Sequence, residues 1–378
     1  MSISFWEKES FTCNDVIVIG GGIIGLSVAI SLLESNSKLS VLLLERGVFP
    51  SGASTKNAGF ACFGSPTEIL NDIEINGLDS TIAIVEKRIH GLELLRSRLG
   101  ESKIGFEQNG GYELLFDSYT LSKDKLNNLN EKLFGLFNQN IFSFRNDLVY
   151  KFGFDQVHSL IQNKFEGQIH TGKMMKSLIE KAKSLGVNIL TGSEVIEIND
   201  NEKFVEVIVS NQSINEKIKF ISSKVSVCNN AFAKKLFKTL PLKPARGQVM
   251  ITSEISNLKF KGTFHFDKGF YYFRNVGNRV LIGGGRNTDI TNEESFDFVE
   301  NLDILSTLKK YLTDIILPNN NFEIEMNWQG IMGFSENKLP IVNNVSTNVF
   351  CAFGCNGMGV ALGSQIGIEM AFLMNQII

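Results

Sequence analysis

Four residues between positions 20 and 45 have the types and spacing of a nucleotide-binding turn. Gly20, Gly22 and Gly25 fit the pattern G-x-G-x-x-G, and Glu45 follows Gly25 after 20 residues. The first glycine of such a turn permits the tight bend, the second lets backbone amides approach a pyrophosphate, and the third lets a helix pack close to a strand. An acid at this distance accepts hydrogen bonds from an adenosine ribose and repels a 2′-phosphate. The spacing therefore predicts a dinucleotide site that disfavours NADP.

The segments around this turn are those that must position it. Residues 15–19 are a short apolar, β-branched run, residues 26–33 are mostly helix formers, and residues 41–44 are a second apolar run ending at Glu45. Such runs are typical of parallel strands buried on both faces. The order strand, turn, helix, strand and acid favours a nucleotide-binding βαβ unit over an ordinary one with a glycine turn.

Composition excludes several classes of function. With 378 residues the chain can bury two cores. Its net charge of −3 gives no electrostatic support for binding nucleic acid. No apolar run reaches the ~18 residues of a membrane span, and the first twelve residues lack a signal-peptide core, so we expect a cytoplasmic protein. Its five cysteines and four histidines are scattered, which indicates reduced thiols and no metal site.

The remaining chain alternates between two patterns. Helical spacing covers residues 68–99, 121–137, 173–185, 296–312 and 359–377. Strand-like runs cover residues 110–116, 187–190, 194–198, 204–209, 217–221, 224–228, 247–252, 263–266, 270–274, 280–283, 323–330 and 349–354. The run at 224–228 is followed by another turn and helix, so the nucleotide-binding domain resumes there.

These patterns predict an α/β protein of two domains. We expect a Rossmann-like nucleotide-binding domain of the glutathione-reductase type, made from residues 13–66, 153–240 and 325–378. The second domain is expected to be an α+β substrate domain with an antiparallel sheet, made from residues 67–152 and 241–324. The two insertions should pair with each other.

Six motifs follow one another along nearly the whole chain. They are the turn 20–25 with Glu45, the small-residue loop 52–59, Val195, the segment 246–248, the segment 328–330 and the segment 354–359. In this order they resemble the D-amino-acid-oxidase-like family of FAD-dependent oxidoreductases, which includes glycine, sarcosine and γ-glutamylputrescine oxidases. By itself the loop 52–59 is more typical of a surface turn than of a cofactor contact, and Val195 is compatible with an ordinary strand residue.

The resemblance implies that the cofactor is FAD. It places the loop 52–59 over the pyrophosphate and flavin, the backbone of Val195 at the adenine edge, and the segment 354–359 at the flavin pyrimidine carbonyl. Members with covalent flavin carry a cysteine near residues 328–335, and none is present here, so the FAD should be noncovalent. The expected cofactor contacts are Gly20, Gly22, Ile23, Ile24, Gly25, Glu45, Arg46, Ala53, Ser54, Lys56, Asn57, Ala58, Gly59, Val195, Asn229, Gly330, Gly354, Asn356, Gly357, Met358, Gly359 and Val360.

Candidate substrate contacts lie in the second insertion. Arg286 follows a strand end that lines the cavity in similar proteins, and could pair with a carboxylate or be an exposed loop residue. His265, Tyr271 and Tyr272 lie on neighbouring strands, where alternation directs about one residue in two towards the flavin. Glycine and D-amino-acid oxidases resemble each other in an arginine shortly after the Trp-x-Gly segment, and Met332 stands at about that place here.

The sequence thus favours oxidation of an amine or amino acid by FAD, with O₂ as the electron acceptor and Arg286, Tyr271, His265 and Met332 in the substrate pocket. A dehydrogenase with a quinone or carrier acceptor would share the flavin motifs. A flavin-binding subunit of a larger complex, a nucleic-acid-base-modifying enzyme of the same fold and a plain NAD dehydrogenase would each share part of this pattern. The motifs do not determine an oligomeric state.

Overall fold

A computed structural model describes residues 3–117, 120–211 and 216–375. The helices are α1 (Phe5–Phe11), α2 (Ile23–Ser35), α3 (Ala53–Lys56), α4 (Pro66–Asn76), α5 (Leu78–Leu99), α6 (Glu101–Ile104), α7 (Lys123–Phe137), α8 (Asp147–Phe152), α9 (Thr171–Ser184), α10 (Ala233–Leu236), α11 (Ile290–Glu293), α12 (Leu302–Tyr311) and α13 (Gly359–Asn375). The strands are β1 (Cys13–Ile19), β2 (Val41–Leu44), β3 (Phe60–Ala61), β4 (Gly111–Leu115), β5 (Phe142–Phe144), β6 (Ser159–Asn163), β7 (Gly167–Gln168), β8 (Asn188–Leu190), β9 (Glu194–Asp200), β10 (Val205–Asn211), β11 (Glu216–Val227), β12 (Leu242–Thr252), β13 (Thr263–Phe266), β14 (Tyr271–Val276), β15 (Arg279–Gly284), β16 (Ile324–Ser335), β17 (Ile341–Asn344) and β18 (Val349–Phe353). None of the described helices has the length and apolar character needed to cross a bilayer.

The first sheet contains the predicted βαβ unit. Six of its eight strands follow the order β17-β18-β11-β1-β2-β8, and β10 and β9 extend it from β11. Its centre is parallel, since β1 pairs with β2 and β11, β2 with β8, and β11 with β18. Val16, Ile17 and Val18 are β-branched and at most 2% exposed, because both faces of β1 are covered. The predicted strand, helix and strand are therefore confirmed.

Helices α2 and α13 pack on the face of β1 that carries Val16 and Val18. Their close contact depends on the missing side chains of two glycines in α13. A Cβ atom on Gly363 would lie 2.3 Å from Cγ2 of Ile23, and one on Gly367 would lie 2.6 Å from Ser27. The start of α2 is therefore held by a helix more than 300 residues further along the chain.

Strand β11 is one strand where the sequence predicted two, at 217–221 and 224–228. Residues 216–222 pair with β10, and residues 225–227 lie between β1 and β18. Burial alternates along the first part and is continuous along the last four residues. The change of pattern therefore reflects a change of surroundings along one strand, and not a break in the chain.

The second sheet has the order β16-β12-β15-β14-β13-β4-β6-β5. It is antiparallel except for β13 and β4, which pair in parallel. Because β4 belongs to the predicted insertion 67–152 and β13 to 241–324, the two insertions do pair. A cluster of aromatic residues that includes Phe154, Phe264 and Phe273 fills its core. The predicted α/β class with a largely antiparallel second sheet is confirmed.

Two strands of the second sheet fall outside the predicted substrate domain. Strand β6 lies within 153–240 and pairs with β4, and β16 lies largely within 325–378 and pairs with β12 along its whole length. Sheet membership therefore differs from the predicted division at 153 and 325, although the domain boundaries themselves remain a prediction.

Two predicted helices have different bounds in the structure. The helical run 68–99 is divided at Gly77, whose φ of +80° ends α4 and begins α5. The predicted helix at 296–312 begins only at Leu302. The reason is that the carbonyls of Asp297 and Val299 accept hydrogen bonds from the buried side chains of Arg246 and Gln248, which fixes this segment in a non-helical path.

Candidate cofactor and substrate site

A single cavity of about 740 Å³ joins the glycine turn to the second sheet. Its size lies within the range of ~300–1,000 Å³ usual for small-molecule sites. The wall is formed by the carboxyl ends of β1 and β2, by α3 and the start of α13, and by one face of the second sheet. Ligands of open α/β sheets bind at such carboxyl ends.

The glycine turn brings the N-terminal end of α2 to this cavity. Gly20 has a φ of +107°, and its amide donates to the carbonyl of Leu44 at 2.8 Å. The first i→i−4 bond of α2 runs from Leu26 N to Gly22 O at 3.0 Å, so the earlier amides of the helix have no partner within it. Of these, Ile23 N donates to Ser54 Oγ at 2.9 Å. The positive end of α2 thus faces the place expected for a pyrophosphate.

Glu45 fastens the turn to the end of β2. Its Oε2 accepts from Gly21 N at 2.8 Å, and its Oε1 accepts from Gly47 N at 2.9 Å. The residue is 7% exposed and lines the cavity, so each carboxylate oxygen keeps a lone pair for a ribose hydroxyl. The next residue, Arg46, places its guanidinium 3.7 Å from the centre of the Phe232 ring at the same end of the cavity.

The segment 52–59 contains one helical turn, α3, where the sequence predicted a loop. Asn57 stabilises the turn, because its Nδ2 donates to Ser54 O at 2.8 Å and its Oδ1 accepts from Gly59 N at 2.8 Å. Trp328 of the second sheet donates from Nε1 to Lys56 O at 2.9 Å. The segment is therefore a half-buried bridge between the two sheets and not an exposed surface turn.

The donor and acceptor set at this end suits a dinucleotide. The helix N-terminus supplies amides for phosphate oxygens, and Glu45 supplies acceptors for a ribose. Asn229 Oδ1 is buried at the cavity and has no hydrogen-bond partner among the described residues, so it is available to a ligand. No group of side chains in the described ranges could hold a metal ion.

Most of the predicted cofactor contacts lie in the cavity wall: Gly20, Gly22, Ile23, Ile24, Glu45, Arg46, Ala53, Ser54, Lys56, Asn57, Ala58, Gly59, Val195, Asn229, Gly330, Asn356, Gly357, Met358, Gly359 and Val360. Gly25 and Gly354 are not part of it. Gly25 instead packs against the carbonyl of Gly20, as the predicted spacing requires. Gly354 ends β18 with a φ of +75°, one residue before the cavity wall begins at Cys355.

The far end of the cavity is formed by β13, β14 and β15. His265 and Tyr272 are paired across two strands and both line the cavity. Tyr271 does not line it, because the next residue of a strand faces the opposite side. Its ring lies 4.9 Å from those of Phe266 and Tyr311 in the core of the second domain. The structure thus places Tyr272, and not the predicted Tyr271, at the site.

His265 and Tyr272 present neutral polar groups to the cavity. Burial lowers the pKa of His265 to about 4, so its imidazole is neutral near pH 7. Its Nε2 is buried and has no partner in the described chain. Burial raises the pKa of Tyr272 to about 12, so the phenol keeps its proton. Both side chains can exchange hydrogen bonds with a ligand without adding charge.

Arg286 begins a 3₁₀ turn directly after β15 and lines the cavity. Its guanidinium carbon lies 4.4 Å from the Phe334 ring centre and 6.0 Å from that of Phe270. Burial lowers its pKa, but an arginine remains charged at all relevant pH values. No carboxylate lies within 4 Å of it in the described residues, so this cation is free to pair with a ligand. Met332 of β16 also lines the cavity.

A buried ion pair holds the segment that follows Arg286. Arg246 Nη2 lies 2.7 Å from Oε1 of Glu293, which is fully buried, and the same guanidinium donates to Asn292 O and Asp297 O. Gln248 donates to Glu293 at 3.2 Å. These contacts give the motif 246–248 a positioning role for the Arg286 segment.

Sequence reasoning missed Glu68, Phe270, Phe334 and Lys338, which line the same end of the cavity. One signal for Glu68 was present, since Ser65 and Glu68 have the S-x-x-E spacing of a capping box at the start of α4. That signal predicts a helix start but not the approach of this helix to the second sheet.

Two buried carboxyls beneath α4 make stability depend on pH. Glu166 Oε1 accepts from the amides of Phe63 and Gly64, and burial raises its pKa to about 8 from an ordinary 4.5. Burial raises the pKa of Glu113 to about 7. Each of these carboxyls holds its proton more tightly in the folded state than in the unfolded chain, and this adds to the free energy of unfolding. The contribution is present below pH 4.5 and is lost as the pH rises through about 7 for Glu113 and about 8 for Glu166.

We therefore expect Glu166→Gln to become more stable relative to the wild type as pH rises from 5 to 9, because the amide keeps the acceptor and has no proton to lose. Melting temperatures across this range measure the effect. Glu131→Gln, on the exposed side of α7, is the control and should follow the wild type. A constant difference between Glu166→Gln and the wild type would contradict the expectation.

Comparison with known proteins agrees with this geometry. The family described as FAD dependent oxidoreductase (DAO) matches residues 15–373. A probable oxidoreductase OrdL of Haemophilus influenzae is 24% identical over 93% of this chain and 81% of its own length. The γ-glutamylputrescine oxidoreductase of Escherichia coli K12 is 24% identical over 97% of this chain and 84% of its own length.

Solved structures show the same fold. Glycine oxidase from Geobacillus kaustophilus superposes with a TM-score of 0.74 at 19% identity, covering 97% of this chain and 95% of that one. L-proline dehydrogenase from P. horikoshii gives a TM-score of 0.75 at 19% identity, covering 97% of this chain and 94% of that one. The resemblance inferred from the six motifs is thus confirmed, and with it the cofactor. The chain belongs to the DAO family of FAD-dependent oxidoreductases, and FAD is its cofactor.

Proposed function

We propose that the protein oxidises the C–N bond of a small-molecule amine or amino acid to an imine, and that O₂ accepts the electrons and forms H₂O₂. The observation that carries this proposal is the continuous cavity, in which the glycine turn lies at one end and the unpaired Arg286 at the other. FAD supplies the two-electron acceptor for a C–H bond next to nitrogen.

The second sheet orients the substrate nitrogen. The unpartnered Nε2 of neutral His265 can accept a hydrogen bond from an N–H group. A pKa of about 4 makes this imidazole too weak a base to hold a proton at pH 7. His265 therefore positions the amine and does not take its proton at this pH.

Arg286 binds the substrate carboxylate in this proposal. Its guanidinium is free of ion pairs with the described residues and can donate two parallel hydrogen bonds. Phe270, Phe334 and Met332 surround the site with apolar surface and exclude water, which strengthens the ion pair. The Met332 thioether cannot form an ion pair with a carboxylate, so the carboxylate site lies in the turn after β15 and not on β16.

Three further features belong to the proposal. The FAD is noncovalent, because no cysteine occurs in β16. The compartment is the cytoplasm, since all five cysteines are free thiols, as is usual for reducing compartments. The two-domain division at residues 66, 152, 240 and 324 is retained as a proposal, with β6 and β16 contributing to the second sheet.

The names of the relatives support an amine as the substrate and leave the acceptor to experiment. One curated relative is named for γ-glutamylputrescine, and the two solved structures are named as an oxidase of glycine and a dehydrogenase of L-proline. Oxidases and dehydrogenases thus share this fold.

An anaerobic absorbance titration with a panel of amines and amino acids tests the proposal. Bleaching of the flavin band by one class, followed by rapid recovery in air, is the expected result. Bleaching without recovery in air would show that O₂ is not the electron acceptor, and a quinone or carrier would take its place in the proposal. If a yellow protein is bleached by no member of the panel, amine oxidation by the isolated chain is contradicted, and a partner-dependent subunit takes its place.

A further inference from the structure

One face of α4 forms a wall of the substrate end of the cavity. Glu68, Asn71, Asp72 and Ile75 all line it, and their spacing of three and four residues places them on the same side of a helix. The helix is set by a capping box, in which Ser65 N donates to Glu68 Oε2 at 3.4 Å. The first turn of α4 therefore directs the Glu68 carboxylate along the cavity wall.

Charged groups surround Glu68, but none forms an ion pair with it. Lys338 Nζ lies 3.1 Å from Asp72 Oδ1, and Arg88 Nη2 lies 3.7 Å from Asp72 Oδ2. Both cations therefore contact Asp72. In the described part of the chain, Glu68 has no cation within 4 Å. Burial raises the pKa of Glu68, while Arg88 and Lys338 oppose that effect from a greater distance.

The chain leaves room beside this carboxylate. The hairpin between β13 and β14 passes over it at Gly269, which lines the cavity and has a φ of +81°. A Cβ atom at Gly269 would lie 3.4 Å from Glu68 Oε2, so a side chain there would occupy the space next to the carboxylate. The following residue, Phe270, faces Arg286. A carboxylate and a guanidinium, neither of them in an ion pair with the described residues, thus lie near two consecutive residues of one hairpin tip, Gly269 and Phe270.

We propose that Glu68 is a specificity-determining residue that binds a second cationic group of the substrate. The preferred substrate is then an amine or amino acid that carries an additional ammonium or guanidinium group. This inference rests on the proposed function, because it names the substrate class of the same cavity. The nitrogen of the C–N bond that is oxidised then lies near His265. A substrate carboxylate pairs with Arg286, and the second cationic group pairs with Glu68.

The energetic reason is that burial removes part of the hydration of the Glu68 carboxylate, and no ion pair with the described residues compensates for that loss. A bound cation would compensate for it. A charge-assisted hydrogen bond to a buried carboxylate is worth about tenfold to hundredfold in affinity. A substrate of the same length with a methyl group in place of the ammonium gains nothing from Glu68. The wild type should therefore prefer the cationic member of such a pair by this factor.

Matched ligand pairs test the proposal on the FAD-loaded protein under anaerobic conditions. The pairs are lysine with 2-aminoheptanoic acid, each in both enantiomers, and 1,4-diaminobutane with pentylamine. Dissociation constants come from the perturbation of the flavin spectrum, or from the concentration dependence of flavin reduction where reduction occurs. Glu68→Gln is the main variant, because glutamine preserves the capping box and removes only the charge.

We expect Glu68→Gln to lose the preference for the cationic member of a pair and to bind the uncharged member like the wild type. Glu68→Asp should retain part of the preference. Glu74→Gln, on the exposed side of α4, is the matched control and should behave as the wild type. A wild type with no preference in any pair, or an unchanged preference in Glu68→Gln, overturns the proposal.

The same experiment separates this inference from the proposed function. Binding that depends on Glu68 without flavin reduction by any ligand would contradict amine oxidation and keep the cation site. Flavin reduction by both members of a pair with equal dissociation constants would support amine oxidation and contradict the cation site.

Discussion

Gly25→Ala is expected to yield protein that no longer retains FAD. A Cβ atom at position 25 would lie 1.9 Å from the carbonyl oxygen of Gly20. That oxygen is part of the backbone and cannot rotate away, so α2 must move from β1 and carry its N-terminal amides out of reach of a pyrophosphate. Overpacking of this kind costs about 1–3 kcal/mol, which corresponds to a loss of affinity of about fivefold to about 150-fold when the cost opposes cofactor binding.

The ratio of flavin to protein absorbance after purification measures this loss, followed by titration of the apoprotein with FAD. Gly135→Ala in α7 is the control, because a Cβ atom at position 135 meets no atom within 4 Å and the residue does not line the cavity. It should keep the wild-type flavin content. Wild-type FAD affinity in Gly25→Ala, with an unchanged melting temperature, would show that the turn does not place the cofactor.

Arg286→Met should weaken binding of carboxylate-bearing substrates by about a hundredfold, because two charge-assisted hydrogen bonds are lost. Methionine keeps the apolar contact with the Phe334 ring, so the pocket should not collapse. An amino acid and the amine made from it by removing the carboxylate form a matched pair. The concentration dependence of anaerobic flavin reduction gives the affinity for each.

The amine without a carboxylate should bind Arg286→Met and the wild type alike. Arg279→Met changes an arginine at the other end of β15, which pairs with Glu254 at 3.6 Å, and should not discriminate within the pair. An equal loss for both members of the pair in Arg286→Met would assign Arg286 to the shape of the pocket and not to carboxylate binding.

The nucleotide-binding half of the site could be predicted from sequence because its determinants are local. The turn 20–25 and Glu45 belong to one βαβ unit, and each residue acts through its own backbone or through a neighbour in that unit. The segment 52–59 was harder. Its small residues indicate close backbone approach, but its helical turn depends on Asn57 and on a hydrogen bond from Trp328, more than 270 residues away.

The substrate half of the site could be predicted only in part. Side chains alternate along a strand, and the sequence does not say which of the two alternating sets faces the core. Phe273 packs in the core, so Tyr272 faces the cavity and Tyr271 does not. The buried Arg246 likewise prevents helix formation at 296–301 through a contact that spans about fifty residues. Glu68 reaches the cavity through the packing of α4, which no local pattern reports.

The close packing of α13 on α2 has a consequence for the order of events during synthesis. Ile23 lies within the glycine turn and Ser27 follows it, yet the helix that packs against both leaves the ribosome more than 300 residues later, together with the adjoining strand β18. Contacts of such high sequence separation form slowly, and chains of this size pass through partly folded states. The nucleotide pocket is therefore incomplete until residues 349–375 have been synthesised, so that cofactor capture is a late event in folding.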